Sequence, residues 1–136
     1  MMIRLRTTAA LSLLLACSSI TNAQDGWVPL FDGQTLKGWR AAENPSSFRV
    51  VDGSIAADGL RSHLFYVGDG QPTEFRNFEF MAEVMTRPGA NSGIYFHTEF
   101  QHEGFPAKGF EAQIDNSQPP QAGYLELKKT GSLYGI

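Results

Sequence analysis

The chain has 136 residues, with 14 acidic and 11 basic side chains and a net charge of -3, which is enough sequence for one domain. A hydrophobic share of 42% and a charged share of 18% exclude wholesale disorder. The acidic balance, without a Lys/Arg run, argues against nucleic acid or an anionic membrane as the main partner. A single cysteine excludes an intrachain disulfide, and the chain has no Cys/His spacing typical of structural zinc.

The start of the chain has the features of a secretory signal peptide. Arg4 and Arg6 form a positive region, the apolar run AALSLLLA follows, and small side chains precede a cut after Ala23. The apolar run is far shorter than the roughly 20 residues that a transmembrane helix needs. We therefore predict a signal peptide over residues 1–23 outside the fold, a mature domain over residues 24–136, and a secreted or periplasmic location.

A lipoprotein signal is the alternative way of processing this leader. The tetrapeptide LLAC, which ends at Cys17, resembles a lipobox, in which the cysteine after the cut is acylated. A lipid anchor at Cys17 would tether the protein to a membrane surface without a spanning segment. The sequence leaves the choice between the two signals open.

Dense turn signals separate short β-prone runs along the rest of the chain. Asp-Gly occurs five times, and this pair favours hairpin turns with positive φ. No stretch combines a 3.6-residue apolar period with caps at both ends, so we expect little helix. The predicted strands are residues 48–51, 54–57, 64–67, 77–85, 92–97 and 110–115.

The later strands alternate apolar and polar residues. The strand FEAQID, residues 110–115, has phenylalanine, alanine and isoleucine on one face and glutamate, glutamine and aspartate on the other. Such alternation indicates a sheet that is packed on one side only. The strands together predict an all-β fold, an antiparallel two-sheet β-sandwich with phenylalanine-rich inner faces as its core.

Hydrogen-bonding side chains on this sheet are the candidates for chemistry. Glu111, Gln113 and Asp115 share a face, and such a row is typical of a cleft that binds hydroxyl groups or holds a general acid and base. An ordinary solvated strand face is the other interpretation. On the preceding strand, Tyr95 and His97 are expected to share a face, where a ring would stack on a sugar and an imidazole would exchange protons.

The loop that leads into that strand offers a second set of polar groups. Its glycines permit close backbone approach, and Asn91 can both donate and accept hydrogen bonds. A plain hairpin loop is the alternative interpretation. His63 and His102 lie in predicted loops, and we assign them no role.

Four motifs occur in an order that is specific in combination: LFDGQTLKGW at 30–39, NSGIYF at 91–96, GFEAQID at 109–115 and TGSLYG at 130–135. Together they resemble the 3-keto-disaccharide hydrolase domain family over nearly all of the mature chain. The resemblance implies a concanavalin A-like jelly roll, and secreted bacterial enzymes that cleave glycosides already oxidised at C3. The alternative is a non-catalytic carbohydrate-binding, lectin-like module, because the same sandwich hosts both functions.

The ketone at C3 implies a particular route of cleavage. It acidifies the proton on C2, whose removal gives an enolate that expels the oxygen on C1, and water then adds back. This route needs a base, an acid and a group that stabilises the enolate oxygen. The expected catalytic residues are Glu111, Asp115 and His97, with Glu111 or His97 as the base. The expected substrate-binding residues are Asn91, Tyr95, Gln113 and Tyr134.

The spacing of the two carboxylates favours this route over a standard glycosidase mechanism. Glu111 and Asp115 lie roughly 13 Å apart along a straight strand, whereas paired glycosidase carboxyls lie about 5–5.5 Å or about 6.5–9.5 Å apart. The laminarinase type, which the family resembles, has Glu-x-Asp-x-Glu where this chain has Glu-x-Gln-x-Asp. No cofactor is evident, although a divalent cation, Ca²⁺ or Mg²⁺, suits oxygen ligands such as these carboxylates.

Two features depart from the family pattern. Family members more commonly have Arg where this chain has His97, so a guanidinium contact to a substrate oxygen is absent. They also continue for several strands after the Tyr-Gly motif, whereas this sequence ends at Ile136. We therefore expect a C-terminally truncated sandwich with exposed strand edges, low stability and an inactive fragment.

Overall fold

Short antiparallel strands make up the part of the chain that the structure, a computed structural model, describes: residues 3–7, 26–70, 73–116 and 127–136. The strands are β1 (Ile3–Thr7), β2 (Trp27–Pro29), β3 (Trp39–Ala41), β4 (Phe48–Val51), β5 (Ser54–Ala57), β6 (Leu64–Tyr66), β7 (Phe78–Ala82), β8 (Asn91–Phe96), β9 (Phe110–Asp115) and β10 (Leu133–Gly135). The 3-10 turn Pro45–Ser47 directly precedes β4. Within these ranges no helix has the length and apolar character to cross a membrane.

The strands form four antiparallel sheets. Two sheets have three strands, in the orders β2-β1-β7 and β10-β9-β8, and two have two strands, β3-β6 and β4-β5. The predicted all-β, antiparallel class is confirmed. Closure of these sheets into a two-sheet jelly roll with a truncated C-terminus stays a prediction.

The β4–β5 hairpin follows from its Asp-Gly turn. Val51 pairs with Ser54, so only two residues connect the strands. These are Asp52 and Gly53, with φ of 48° and 72°. Positive φ at both positions matches the right-handed twist of the strands that such a turn joins. Both strands of this hairpin are confirmed with their predicted bounds.

The other predicted strands are also confirmed, some with shifted ends. β6 ends at Tyr66, β7 is only Phe78–Ala82, and β8 is Asn91–Phe96, whereas β9 has its predicted bounds. Strands β2, β3 and β10 were not predicted. Each has three residues, which is too short for an alternating pattern to stand out in the sequence.

Strand β1 lies within the segment predicted as a signal peptide. Ile3–Thr7 pairs with both β2 and β7, so it is the central strand of its sheet. The backbone of β1 satisfies the facing edges of both neighbours. Residues 8–25, which include Cys17 and the predicted cut, lie outside the described residues, and processing of the leader stays a prediction.

Leu30 is the centre of the apolar core. It is 7% exposed. The half-buried side chains packed against it are Trp39, Ile55, Tyr66, Phe75, Phe78 and Ala82. Trp39 Nε1 donates a hydrogen bond to the Leu30 carbonyl at 2.7 Å, and the Trp39 ring meets Tyr66 edge-on at 5.2 Å. The first and last residues of the motif at 30–39 are therefore hydrogen-bonded to each other within the core.

Asp32 organises the turn inside that motif. Its Oδ1 accepts hydrogen bonds from the N–H groups of Gln34 and Thr35 at 2.8 and 2.6 Å, and its Oδ2 accepts from the Thr35 hydroxyl at 2.6 Å. These bonds, that of the Thr35 hydroxyl first, lower the pKa of Asp32 to about 2. The FDGQT segment is thus a structural turn.

Both faces of the β10–β9–β8 sheet are partly buried, and Ile114 on the apolar face is 8% exposed. Gln113 and Asp115, on the polar face, are 4% and 0% exposed, whereas Phe110 and Leu133, on the apolar face, are 40% and 63% exposed. The prediction that only the apolar face packs is therefore wrong for this sheet. The physical reason is the set of polar partners that surrounds Gln113 and Asp115, described below.

Replacing Trp39 by Phe should lower the free energy of unfolding by about 1–2 kcal/mol, because the hydrogen bond to Leu30 and part of the ring packing are lost. Urea denaturation measures the change. The same substitution at Trp27, for which the described residues give no such bond, should cost less. Equal losses of unfolding free energy at both tryptophans would show that the hydrogen bond from Trp39 to Leu30 does not add to stability.

Candidate functional site

The register of β8, β9 and β10 aligns Tyr95, Glu111 and Tyr134 in one row across the sheet. Tyr95 and Tyr134 are the Cα partners of Glu111 on its two sides. Paired residues of antiparallel strands project from the same face, so the carboxylate stands between two phenols. All three residues are half-buried. The expected adjacency of the strands that carry Tyr95 and Glu111 is confirmed.

Gly93 makes room for the carboxyl group of Glu111. A Cβ atom built on Gly93 would lie 1.8 Å from Glu111 Oε1 and 2.6 Å from Cδ. Both distances are far inside van der Waals contact, so the carboxyl group lies over bare backbone that only glycine provides. The glycine in NSGIYF therefore directs Glu111 toward β8, beside Tyr95.

Tyr95 holds the Glu111 carboxylate as a neutral partner. The pKa of Tyr95 lies well above its usual value, first because of burial, then because of hydrogen bonding and charge interaction with Glu111, with a contribution from Tyr134. The phenol therefore keeps its proton throughout the physiological pH range. The partner of the carboxylate at this point is therefore a neutral hydrogen-bond donor.

His97 does not join this row. Its φ is 55°, and β8 has already ended at Phe96. The ring of His97 lies 5.7 Å from that of Phe96 and 6.3 Å from that of Phe110, which are partners on the face opposite Tyr95 and Glu111. The prediction that Tyr95 and His97 share a face is wrong, because the positive φ breaks the alternation of the strand.

His63, to which the sequence assigned no role, packs against the row. Its ring meets Tyr95 edge-on at 5.7 Å and Phe105 edge-on at 5.5 Å. It directly precedes β6, and its carbonyl accepts a hydrogen bond from the Ala42 N–H at 2.9 Å. No local pattern in the sequence could have identified it, because its neighbours come from distant strands and loops.

The surroundings of His63 favour the neutral form of its imidazole. Burial lowers its pKa; the charges of Glu43 and Glu111 oppose this, and that of Arg61 adds to it. Its Nδ1 atom is buried and has no hydrogen-bond partner among the described residues. The ring is therefore held by aromatic packing rather than by a polar contact at Nδ1.

Glu43 fixes the loop that packs on His63. One carboxylate oxygen accepts a hydrogen bond from the backbone N–H of Gly104, and the other accepts from Arg61 Nε at 3.3 Å. Burial raises the pKa of Glu43, but these partners outweigh burial and lower it overall. The Arg61 guanidinium also lies 5.0 Å from the Phe105 ring centre. The wall beside His63 is thus held by charge-assisted contacts.

The far end of the polar face is closed by structural contacts. Asp115 Oδ2 lies 3.2 Å from Lys129 Nζ, and the Asp115 N–H donates to Thr130 Oγ1 at 3.0 Å. Gln113 Nε2 donates to Asn91 Oδ1 at 2.9 Å. The expectation that Asp115 and Gln113 project into an open cleft is wrong, because these partners enclose them. Their predicted roles, and that of Asn91, stay predictions.

Glu111 and Asp115 were considered above as possible ligands of a divalent cation, and the structure shows where each carboxyl group lies. Asp115 is paired with Lys129. Glu111 lies four residues before Asp115 on β9, and its carboxyl group turns toward Gly93 of β8. Nowhere in the described ranges do three or more His, Cys, Asp or Glu side chains gather closely enough to hold a metal ion. On the neighbouring strand, the ring centre of Tyr134 lies 3.4 Å from Lys128 Nζ.

Comparisons with known proteins support the family resemblance that the four sequence motifs indicate. A family model described as a 3-keto-alpha-glucoside-1,2-lyase-like domain matches residues 26–136. A protein of Bacteroides thetaiotaomicron named 3-keto-disaccharide hydrolase is 35% identical over 79 residues, which cover 53% of this chain and 27% of that protein. The chain thus aligns with about a quarter of that relative's length. No solved structure matches the chain significantly.

Asp115→Asn should lower the free energy of unfolding by about 2–3 kcal/mol, because an amide cannot replace a buried carboxylate beside Lys129. Chemical denaturation measures this. The matched control is Asp58→Asn, which breaks the exposed Arg49–Asp58 pair at 3.3 Å and should change stability by about 0.5 kcal/mol or less. A stable Asp115→Asn protein would contradict the structural role.

Proposed function

Because the chain belongs to the 3-keto-alpha-glucoside-1,2-lyase-like domain family, we propose that it cleaves glycosides whose sugar carries a ketone at C3, with Glu111 as the base. The relative named 3-keto-disaccharide hydrolase supports disaccharides as the substrate class. The observation that carries the proposal is the row of Tyr95, Glu111 and Tyr134 above Gly93.

The first step removes the proton from C2. Glu111 takes this proton, and the electrons of the C2–H bond form a C2–C3 double bond while the C3 oxygen becomes an enolate. The charge on that oxygen then returns to re-form the ketone, a C1–C2 double bond forms, and the bond from C1 to the glycosidic oxygen breaks. The departing oxygen takes a proton from solvent or from a nearby hydroxyl group.

The second step adds water to the unsaturated ketone. The protonated Glu111 exchanges its hydrogen with solvent and then delivers a solvent-derived proton to C2. The oxygen of water adds at C1, and the remaining proton of that water passes to solvent, which balances the proton taken by the departing oxygen. The sum is one water consumed, one glycosidic bond broken, and release of the free 3-keto sugar and of the group that was attached to its C1, with no change in oxidation state. One carboxylate is enough for this sequence, which agrees with the enclosure of Asp115 by Lys129.

The two phenols have binding roles in this proposal. Tyr95 donates its hydroxyl hydrogen to the Glu111 carboxylate and, because its pKa is raised, does not act as a base near neutral pH. Tyr134, on the other side of Glu111, presents a ring and a hydroxyl group to the sugar. His97 and Asp115 have no step assigned, since one lies on the opposite face and the other is buried.

Export from the cytoplasm is part of the same proposal. The positive n-region, the apolar run and the small residues before Ala23 support a secreted or periplasmic location, and Cys17 supports a lipid-anchored form. Mass spectrometry of the protein from its native host would distinguish a start at Gln24 from an acylated Cys17.

Glu111→Gln should lower kcat on a 3-keto-glucoside by at least about 100-fold, because an amide cannot accept the C2 proton. Release of the aglycone measures turnover. The control is Glu74→Gln, an exposed residue paired with Arg76 at 2.7 Å, and it should retain wild-type turnover. Full turnover in Glu111→Gln would remove Glu111 as the base, and sugar binding without any release by the wild type would favour the lectin-like alternative.

Gly93→Ala should reduce kcat/KM by about 10- to 100-fold, because the new methyl group displaces the Glu111 carboxyl group from its place. Gly135→Ala is the matched control, since a Cβ atom there would meet Phe110 at an ordinary 3.9 Å. Activity of both alanine variants is compared with that of the wild type. Equal activity in all three would contradict the position of the carboxyl group over Gly93.

A further inference from the structure

The buried nitrogen of His63 fixes where its proton lies. Nδ1 is enclosed and has no hydrogen-bond partner among the residues that the structure describes. A neutral imidazole carries one N–H and one lone pair, and burying an N–H without an acceptor is the costly choice. The lone pair is therefore on Nδ1, and Nε2 carries the hydrogen. Nε2 is then the ring nitrogen available to a bound molecule, as a donor.

The surroundings of His63 bring this donor to the Glu111 site. The ring contacts Tyr95, which is the cross-strand partner of Glu111. The charge of Glu111 acts to raise the pKa of His63, in agreement with the position of both groups beside Tyr95. In a 3-keto sugar the acidic C2–H and the C3 oxygen are on adjacent carbons. A base and an oxygen-binding donor must therefore lie within the width of one sugar ring.

Resting on the proposed function, we propose that His63 is a catalytic residue whose Nε2–H donates a hydrogen bond to the C3 ketone oxygen and to the enolate formed from it. The hydrogen stays on Nε2 throughout, so no bond at His63 forms or breaks. The donor strengthens as negative charge develops on the oxygen, which is the condition for stabilising a transition state.

The charged groups around His63 are consistent with a neutral donor there. Glu43 is engaged by Gly104 and Arg61, and Arg61 in turn lies against Phe105. The nearest cationic side chain of this wall is thus committed to Glu43. A neutral imidazole in this place can polarise a ketone without giving up a proton, whereas an imidazolium would place a second N–H on the enclosed Nδ1.

The test compares His63→Phe, which keeps an aromatic ring without a donor, with His97→Phe on the opposite face of the sheet. In the full chain, His63→Phe should lower kcat/KM for a 3-keto-glucoside by about 100-fold or more, and His97→Phe should leave it within about twofold. His63→Gln, whose amide nitrogen lies near the place of Nε2, should recover activity relative to His63→Asn. Equal losses in the Gln and Asn variants would overturn the assignment even if the Phe variant fails to fold.

A second readout needs no turnover. An unreactive 3-keto-1,5-anhydroglucitol labelled with ¹³C at C3 has no leaving group, and a hydrogen bond to its ketone moves the carbonyl resonance to higher frequency. The wild type and His97→Phe should show this shift, and His63→Phe should not. An unchanged shift in His63→Phe, with an active wild type, overturns the role of His63 alone. A wild type that neither cleaves the 3-keto-glucoside nor shifts the analogue overturns the proposed function as well.

Discussion

The close approach of the Glu111 carboxyl group to the bare backbone of Gly93 is the contact on which the site depends. It exists because β8 and β9 pair with Gly93 opposite Gln113 and Tyr95 opposite Glu111. A shift of one residue in this pairing would move every side chain of one strand to the other face. The register therefore determines where the Glu111 carboxyl group lies, which phenol is beside it and which glycine makes room for it.

The polar face of β9 carries a carboxylate at each end, and the two carboxylates have different surroundings. At one end, Asp115 is enclosed by Lys129 and Thr130, and its neighbour Gln113 is bonded to Asn91. At the other end, Glu111 has only neutral phenols as cross-strand neighbours. A carboxylate paired with a cation is poorly placed to take up a proton, because protonation would break the ion pair. Burial and partners, rather than residue type, distinguish the structural carboxylate of Asp115 from Glu111, the proposed base.

Much of this architecture follows from local rules in the sequence. The Asp-Gly pair at 52–53 predicts its hairpin, and strict alternation in FEAQID predicts β9 and the face that carries Glu111. His97 was misplaced because a non-glycine residue with positive φ leaves no sequence signature of its own. His63 was missed because its contacts with Tyr95 and Phe105 join segments that only the tertiary fold brings together.

Elimination through C2 is the central claim, and the hydrogen on C2 reports on it most directly. Cleavage of a 3-keto-disaccharide in D₂O, followed by NMR of the released 3-keto sugar, measures how much deuterium enters that position. Removal and return of the proton predicts deuterium at C2 well above the level in an enzyme-free incubation of the same sugar. Retention of the original hydrogen at C2 in the product would contradict the account, because direct displacement at C1 never breaks that bond.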